Sequence, residues 1–307
     1  MARKPCSSPR SLWRTASRNW VAYVFLLPAV VPLLFVLVLP GVEVLRLSFM
    51  DVNLRRPGPV HFVGLAQYRQ LLADPVFGRA FVQSWEWALG STVGQFSLGL
   101  AAALLLNQRL PARSLVRGLV LLPWVLPGTL VASIFGLMFT SVGLVNSVLH
   151  ALGLMTGWHP WLSDPRTTMP VLVAANTWKG FPFFAVVLLA ALQSVSPELI
   201  ECARIDGAGA LQTFRHVTLP AIRHAILISA LLATVWTFNS VDLIYNLTYG
   251  GPYYASFTLV MFAFIAAFSY GWTSAAAAAG VITGIIAASF AAAFVAAQWR
   301  QMTQTTT

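Results

Sequence analysis

The chain has 307 residues, of which 58% are hydrophobic and only 9% are charged, and its formal net charge is +10. Its mean hydropathy of +0.74 is too high, and its charge content too low, for a soluble domain of ordinary composition, which excludes that class. The composition predicts an all-α membrane protein.

Six apolar segments are long enough to cross a hydrocarbon core of about 30 Å, which takes about 20 helical residues. They are predicted at residues 21–42, 87–106, 118–139, 169–193, 222–245 and 274–297. A shorter apolar run, residues 255–269, is interpreted as a helix outside the six, with a seventh span as the alternative. Several spans contain prolines that are expected to kink or loosen them: Pro28, Pro32, Pro123, Pro127, Pro170 and Pro182.

The basic residues predict the orientation, because cytoplasmic segments near span ends carry the excess of Lys and Arg. With both termini in the cytoplasm, twelve basic residues fall inside and five outside. Five of the twelve lie in an arm, residues 1–20, that reads as an anchor, and residues 301–307 form a cytoplasmic tail. This bias accounts for most of the net charge, so membrane lipid and not nucleic acid is the expected partner of the positive surface.

Neither cysteine chemistry nor enzyme chemistry is predicted. Cys6 and Cys202 fall on the same predicted side, which suggests no disulfide framework or metal cluster. A chain that hydrolysed ATP would need the phosphate-binding loop G-x-x-x-x-G-K-[ST], and neither Lys4 nor Lys179 lies in one. Since no catalytic or metal-binding constellation is found, the chain is predicted to be neither an enzyme nor a cofactor-binding protein.

A polar insert, ECARIDGAGALQTFRHVTLP at residues 201–220, separates the fourth and fifth spans. Ser196 is placed to cap a helix, and Pro197 suits its first turn. Glu198 and Glu201 put negative charge near the positive end of the helix dipole. These signals predict a helix that lies on the membrane surface and docks on a cytoplasmic partner, with a solvated connecting loop as the alternative.

Small residues in the insert predict a turn after this helix. Gly207 and Gly209 permit the turn, and residues 211–217 then form a second short helix. Leu219 and Pro220 close the insert, because proline is tolerated where the next helix begins.

The insert resembles the EAA loop of permease subunits from bacterial ABC importers. The matching pattern is Glu201-Cys202-Ala203, three residues, Gly207, nine residues, then Val217-x-Leu219-Pro220. Cys202 replaces the usual second Ala, and Val217 replaces Ile. The resemblance implies a type I ABC importer permease fold with six transmembrane helices, in which the loop at about 196–220 is the coupling helix. The residues that it assigns to ATPase coupling are Glu201, Cys202, Ala203, Arg204, Asp206, Gly207, Leu219 and Pro220.

Other motifs occur in the order found in the carbohydrate-uptake branch, typified by the larger maltose permease subunit and the first glycerol-3-phosphate permease subunit. These motifs include Leu122-Pro123-Trp124, Trp178 with Pro182-Phe183, and Leu247 to Pro252. The resemblance implies a multi-pass protein of the bacterial inner membrane, with its permease domain at 21–300. The implied partners are a second homologous permease subunit, a cytoplasmic ATP-binding dimer that holds ATP and Mg, an extracytoplasmic solute-binding protein and a carbohydrate or polyol.

The polar residues of the fifth span are the best candidates for the substrate path, because polar groups within spans normally face a bundle interior or an aqueous cavity. Asn239, Asp242 and Asn246 are spaced to share one helical face, and aromatic rings can stack on a sugar. The alternative is that Asp242 only satisfies a neighbouring helix. The full candidate set is Trp178, Trp236, Asn239, Asp242, Tyr245 and Asn246.

Three polar residues of other spans have roles that the sequence leaves open. Lys179 is expected to pair with an acidic group or to extend to the interface, and anion binding is a further option. Gln95 and Asn176 are expected to form hydrogen bonds within the bundle. Three other functions compete with ATP-driven carbohydrate import: an ion-coupled secondary transporter, an ABC importer for a non-sugar solute such as glycerol-3-phosphate, and a membrane scaffold without transport.

Overall fold

The computed structural model describes residues 20–56, 58–108 and 111–304. Of the predicted arm, residues 1–20, only Trp20 is among the described residues. Of the predicted tail, residues 301–307, only residues 301–304 are described. The described chain is mainly helical, with one antiparallel ribbon formed by β1 (Met50–Asp51) and β2 (His61–Phe62).

Six helices form the first half of the described chain. The first, α1, runs from Trp20–Leu33 through the π-helical turn Leu34–Val38 into Leu39–Leu47. The others are α2 (Ala66–Ala73), α3 (Pro75–Leu106), α4 (Arg113–Val125), α5 (Gly128–Met138) and α6 (Leu144–Ala151).

Six further helices form the second half of the described chain. They begin with α7 (Pro165–Gln193) and α8 (Pro197–Ile205). Next, α9 runs from Ala210–Thr213 through the π-helical turn Phe214–Thr218 into Leu219–Phe238. The last three are α10 (Asp242–Leu247), α11 (Leu259–Phe264 with the π-helical turn Ile265–Ser269) and α12 (Thr273–Gln304).

Four of the six predicted spans lie within unbroken helices, and the fifth, 222–245, does so only as far as Phe238. Within the described residues, five helices are long and apolar enough to cross a membrane: Val24–Leu47, Pro75–Leu106, Pro165–Gln193, Ala210–Phe238 and Thr273–Ala296. The predicted third span, 118–139, is instead two helices that bend by 92° at a short break, so the count becomes six only if this pair is one span. The helix predicted from 255–269 has the bounds Leu259–Ser269, too short to span.

The break in the third span follows from one proline. Leu126 has extended dihedral angles (φ −69°, ψ 134°), because the proline ring that follows it disfavours the helical conformation. Pro127 lacks an N–H to continue the helix, and α5 begins at Gly128 directly after it. The kink predicted at Pro127 is therefore a complete change of direction, whereas Pro123 lies within α4.

Close packing of α3 against α7 forms the centre of the bundle. A Cβ atom at Gly99 would overlap Phe184 and stand only 2.9 Å from the carbonyl oxygen of Phe181. Ala103 and Leu188 are buried in the same cluster as Phe184, whereas Trp87 and Leu172 are buried in a second cluster. The helix α1, in contrast, has no buried residue over Val24–Leu47, so its apolar surface is available to lipid or to a further subunit.

Candidate functional site

The candidate substrate site lies where α9 ends. The predicted fifth span was expected to continue to residue 245, but the helix stops at Phe238 and α10 begins separately at Asp242. The last carbonyl groups of a helix lack intrahelical partners. Here side chains satisfy two of them: Trp87 Nε1 donates to the Thr237 oxygen at 2.9 Å, and Asn239 Nδ2 donates to the Val235 oxygen at 2.8 Å.

This ending overturns the prediction that Asn239, Asp242 and Asn246 share one helical face. A break separates Asn239 from Asp242, so the helical periodicity that underlies the prediction does not run through them. Asn246 lies on α10, where its Nδ2 donates to the main-chain oxygen of Asp242 at 2.6 Å. Both amides are therefore used in local contacts with their own segments.

Asp242 pairs with Lys179, the residue of the fourth span whose partner the sequence left open. Lys179 Nζ lies 3.6 Å from Asp242 Oδ2, with 25% of the lysine side chain and 47% of the aspartate side chain exposed. Ser240 Oγ donates to the other carboxylate oxygen, Oδ1, at 2.8 Å. The pair joins α7 to the segment that follows α9.

The break in the third span makes room for this pair. A Cβ atom at Gly128 would overlap Asp242 Oδ2 and stand 2.9 Å from its Cγ and 3.4 Å from Lys179 Nζ. Any side chain at this position would displace the carboxylate. Three discontinuous pieces of chain therefore meet at one charged contact: the start of α5, the middle of α7 and the start of α10.

A pocket of about 200 Å³ lies directly beside the ion pair and is called the Lys179 pocket below. Its polar wall consists of Gln95, Asn176, Lys179, Thr237 and Ser240. Its other wall carries the rings of Trp124, Phe183 and Trp236, with Phe183 centred 5.3 Å from Trp236 and 6.4 Å from Trp124. Gly180 and Ala233 complete the lining.

One predicted hydrogen bond within the bundle helps to shape the pocket. Gln95 Nε2 donates to the main-chain oxygen of Asn176 at 3.0 Å, which confirms the role expected of the Gln95 side chain but not that of the Asn176 side chain. The Nδ2 atom of Asn176 is buried and has no hydrogen-bond partner among the described residues. The pocket therefore combines three aromatic rings, with Phe183 tilted by 45° to Trp124 and by 57° to Trp236, with ammonium and hydroxyl groups that can exchange hydrogen bonds with a solute.

The predicted path residues divide between this pocket and its surroundings. Trp236 lines the pocket. Asp242 does not line it and is connected to it by the ion pair with Lys179. Trp178 packs on Phe135 at 5.9 Å between ring centres, and Tyr245 packs between Tyr249 and Phe264. No path role was predicted from the sequence for four residues of the pocket: Trp124, Phe183, Thr237 and Ser240. Trp124 and Phe183 were noted only as parts of the Leu122–Trp124 and Trp178–Phe183 motifs, and Thr237 and Ser240 were not noted.

The loop at 196–220 begins as predicted with a helix, α8, that starts at Pro197. Ser196 occupies the N-cap position but makes no capping hydrogen bond, and its hydroxyl donates to the Glu198 carboxylate at 3.2 Å. Glu198 lies in the first turn and Arg204 in the last, both favourable with respect to the helix dipole. Ser196 is thus at the predicted N-cap position, but the hydrogen bond expected of a cap is not formed.

Gly207 makes the turn that follows α8. Its φ of +82° lies in the left-handed region, where residues with a Cβ are strained. The Ala208 N–H donates to the Ala203 oxygen at 2.9 Å and the Gly207 N–H to the Arg204 oxygen at 3.0 Å, which closes the end of α8. The predicted bend at Gly207 is therefore present.

The second helix of the insert is not separate. The segment predicted as a short helix at 211–217 is the beginning of α9, which continues through Leu219 and Pro220 to Phe238. Pro220 cannot donate the usual helical hydrogen bond, and the π-helical turn just before it places the Leu219 N–H on the Phe214 oxygen. The helix of the fifth span thus begins three residues after the turn at Gly207.

The loop exposes polar and apolar side chains together. Glu201, Cys202, Arg204 and Asp206 are exposed, whereas Ala203 is half-buried. Among the apolar residues, Leu199 is 55% exposed, Ile205 84% and Leu211 70%. Three large apolar side chains on a charged loop form a surface suited to a protein partner.

Comparison with known proteins decides the family. Residues 95–302 match the model for the family described as binding-protein-dependent transport system inner membrane component. The chain belongs to this family. It is 33% identical over 246 residues to the trehalose/maltose transport system permease protein MalF of Thermococcus litoralis, covering 80% of this chain and 82% of that protein. It is also 30% identical to the sulfoquinovosyl glycerol transport system permease protein SmoG of Agrobacterium fabrum, covering 81% of each chain.

Solved structures agree on the fold. A chain from a bacterial ABC transporter involved in the import of the acidic polysaccharide alginate superimposes with a TM-score of 0.79 at 24% identity. The match covers 94% of this chain and 99% of that chain. These findings confirm the resemblance to sugar ABC importer permeases and the type I permease-like fold. The chain is a multi-pass inner membrane component of a transporter, and such permease components are not enzymes.

Proposed function

We propose that the chain forms half of the translocation pathway of an ATP-driven importer for a carbohydrate or related polyol. Membership in the binding-protein-dependent family carries this proposal, and the Lys179 pocket adds chemistry that suits the cargo. Trp236 and Phe183 offer apolar ring faces to a sugar, and the Lys179 ammonium group, which lines the pocket, offers N–H donors to a hydroxyl oxygen. The same membership argues against an ion-coupled carrier that acts alone and against a scaffold without transport.

In the proposed assembly, the loop at 196–220 docks on a cytoplasmic ATP-binding subunit. Leu199, Ile205 and Leu211 supply the buried apolar contact, and Glu201 and Arg204 supply polar anchors at its rim. ATP and Mg are bound by that subunit, and this chain supplies no group to them. Because α9 runs without interruption from Ala210, three residues after Gly207, to Phe238, movement of the docked loop is transmitted along this helix to the pocket.

The proposed topology has six spans, with the bent pair α4 and α5 counted as one, and both termini in the cytoplasm. A second, homologous permease subunit completes the pathway and covers apolar surface that this chain leaves exposed, including that of α1. A solute-binding protein delivers the cargo from outside, in line with the family description. A structure of the alginate transporter in complex with a periplasmic protein that holds an alginate pentasaccharide supports the same arrangement.

Site-specific photo-cross-linking tests the docking surface in the assembled complex. A p-benzoylphenylalanine side chain at position 205 is expected to cross-link to the ATP-binding subunit, because Ile205 is 84% exposed on the loop. Position 142 is the matched control, since Val142 is 81% exposed at the opposite end of the proposed topology. A cross-link to the ATP-binding subunit from position 142 and none from position 205 would overturn the proposal.

A further inference from the structure

The charge of the Lys179 pocket is set by two residues. Among the ten residues that line it, Lys179 alone carries a formal charge. Asp242 does not line the pocket but neutralises that charge from behind, at 3.6 Å. An intramembrane charge is costly unless it is paired or functional, so this arrangement needs an explanation.

The carboxylate is held in place on two sides. Ser240 donates to Oδ1 at 2.8 Å, and Oδ2 lies against Gly128, where any Cβ would collide with it. Lys179 has three N–H donors, of which the carboxylate engages one side. The remaining donors are available to neutral oxygen acceptors in the pocket, such as sugar hydroxyl groups.

We propose that Asp242 is a specificity-determining residue that keeps this half of the pathway electroneutral and thereby selects uncharged sugars over carboxylated, sulfonated or phosphorylated ones. This inference rests on the proposed function, because it names the substrate class of the same pocket. An anionic group that approached Lys179 would also approach the Asp242 carboxylate and be repelled by it, which offsets the attraction of the ammonium group. A neutral hydroxyl group meets no such repulsion.

Charge-neutral substitution of Asp242 tests this assignment. The probes are maltose and maltobionate, in which the reducing-end glucose of maltose is replaced by an open-chain gluconate that carries one carboxylate. Binding to the complete complex in nanodiscs is measured by isothermal titration calorimetry for the wild type, Asp242→Asn, and the double variant Lys179→Met with Asp242→Asn. Size-exclusion chromatography verifies that each complex is assembled.

We expect the wild-type complex to bind maltobionate at least tenfold more weakly than maltose. Asp242→Asn leaves an unpaired ammonium group in the pocket and is expected to bind maltobionate at least tenfold more tightly than the wild type does. The double variant, which removes both charges, is expected to lose that gain. Equal binding of the two probes by the wild type, or no gain for maltobionate in an assembled Asp242→Asn complex, would overturn the proposal.

The wild-type comparison keeps the proposal testable if the unpaired lysine prevents assembly of Asp242→Asn. The result is also separable from the proposed function. Sugar uptake by the wild type together with no gain for maltobionate defeats the charge assignment alone. A gain for maltobionate in a complex that transports no sugar defeats carbohydrate import and leaves the charge assignment standing.

Discussion

The substitution Gly128→Ala should weaken the ion pair in the middle of the bundle. The new Cβ would overlap Asp242 Oδ2 and stand 2.9 Å from its Cγ, so the carboxylate has to retreat by about 1.5 Å to reach an ordinary contact distance. At an effective dielectric constant of about 20, lengthening the pair from 3.6 Å to about 5.1 Å costs about 1.4 kcal/mol. Because Asp242 is 47% exposed, screening by water lowers this figure, and we expect a loss of about 0.5–1 kcal/mol.

SDS-induced unfolding of the purified subunit in mixed micelles measures this loss as a free energy of unfolding. Gly118→Ala is the matched control in the other half of the broken span, because a Cβ at Gly118 meets nothing within 4 Å. That control should be neutral or slightly stabilising, since alanine is the better helix former.

A double-mutant cycle separates the ion pair from general strain. If Gly128→Ala acts only by displacing the carboxylate, it should cost nothing further in a protein that already carries Asp242→Ala. Additive losses in the double variant, or wild-type stability of Gly128→Ala, would refute the reasoning.

Two further substitutions test the ends of the coupling pathway. Gly207→Ala should lower the free energy of unfolding by about 1 kcal/mol and lower the ATPase rate of the assembled complex, since φ is +82° there. Gly209→Ala is the control and should have little effect, because φ is −69° at that position. Equal ATPase rates in the two variants would contradict this. Trp87→Phe removes one of two donors to the Thr237 oxygen, which keeps the Ser240 N–H at 3.0 Å, and should lower the free energy of unfolding by about 1 kcal/mol more than Trp85→Phe does. An equal or smaller loss than in that control would show that the bond does not hold the end of α9.

The spans were predictable from the sequence because a run of about 20 consecutive apolar residues has the length and composition of a helix that crosses the membrane. The loop at 196–220 was predictable in outline for a similar reason. Pro197 and Glu198 mark a helix start, and Gly207 marks a left-handed turn, and both signals are local. The continuity of α9 through Pro220 was missed, because a π-helical turn can accommodate a proline that would otherwise mark a new helix.

The site itself depends on contacts between distant parts of the chain. No glycine or proline near Phe238 announces the end of α9, which is fixed in part by Trp87, 150 residues before its acceptor Thr237. The pairing of Lys179 with Asp242 likewise requires the break at Pro127 to bring Gly128 beneath the carboxylate. Sequence reasoning identified Lys179 and Asp242 as unusual charges in spans, but only the fold shows that they neutralise each other.

Measuring which energy source drives sugar uptake tests the proposed function most directly. The complete complex with its solute-binding protein is reconstituted in proteoliposomes and supplied with a radiolabelled sugar that this solute-binding protein binds. Uptake of that sugar should require ATP on the side of the loop at 196–220 and should stop with a non-hydrolysable analogue. Uptake driven by a proton or sodium gradient in the absence of nucleotide would contradict the claim that a separate ATPase works through this chain.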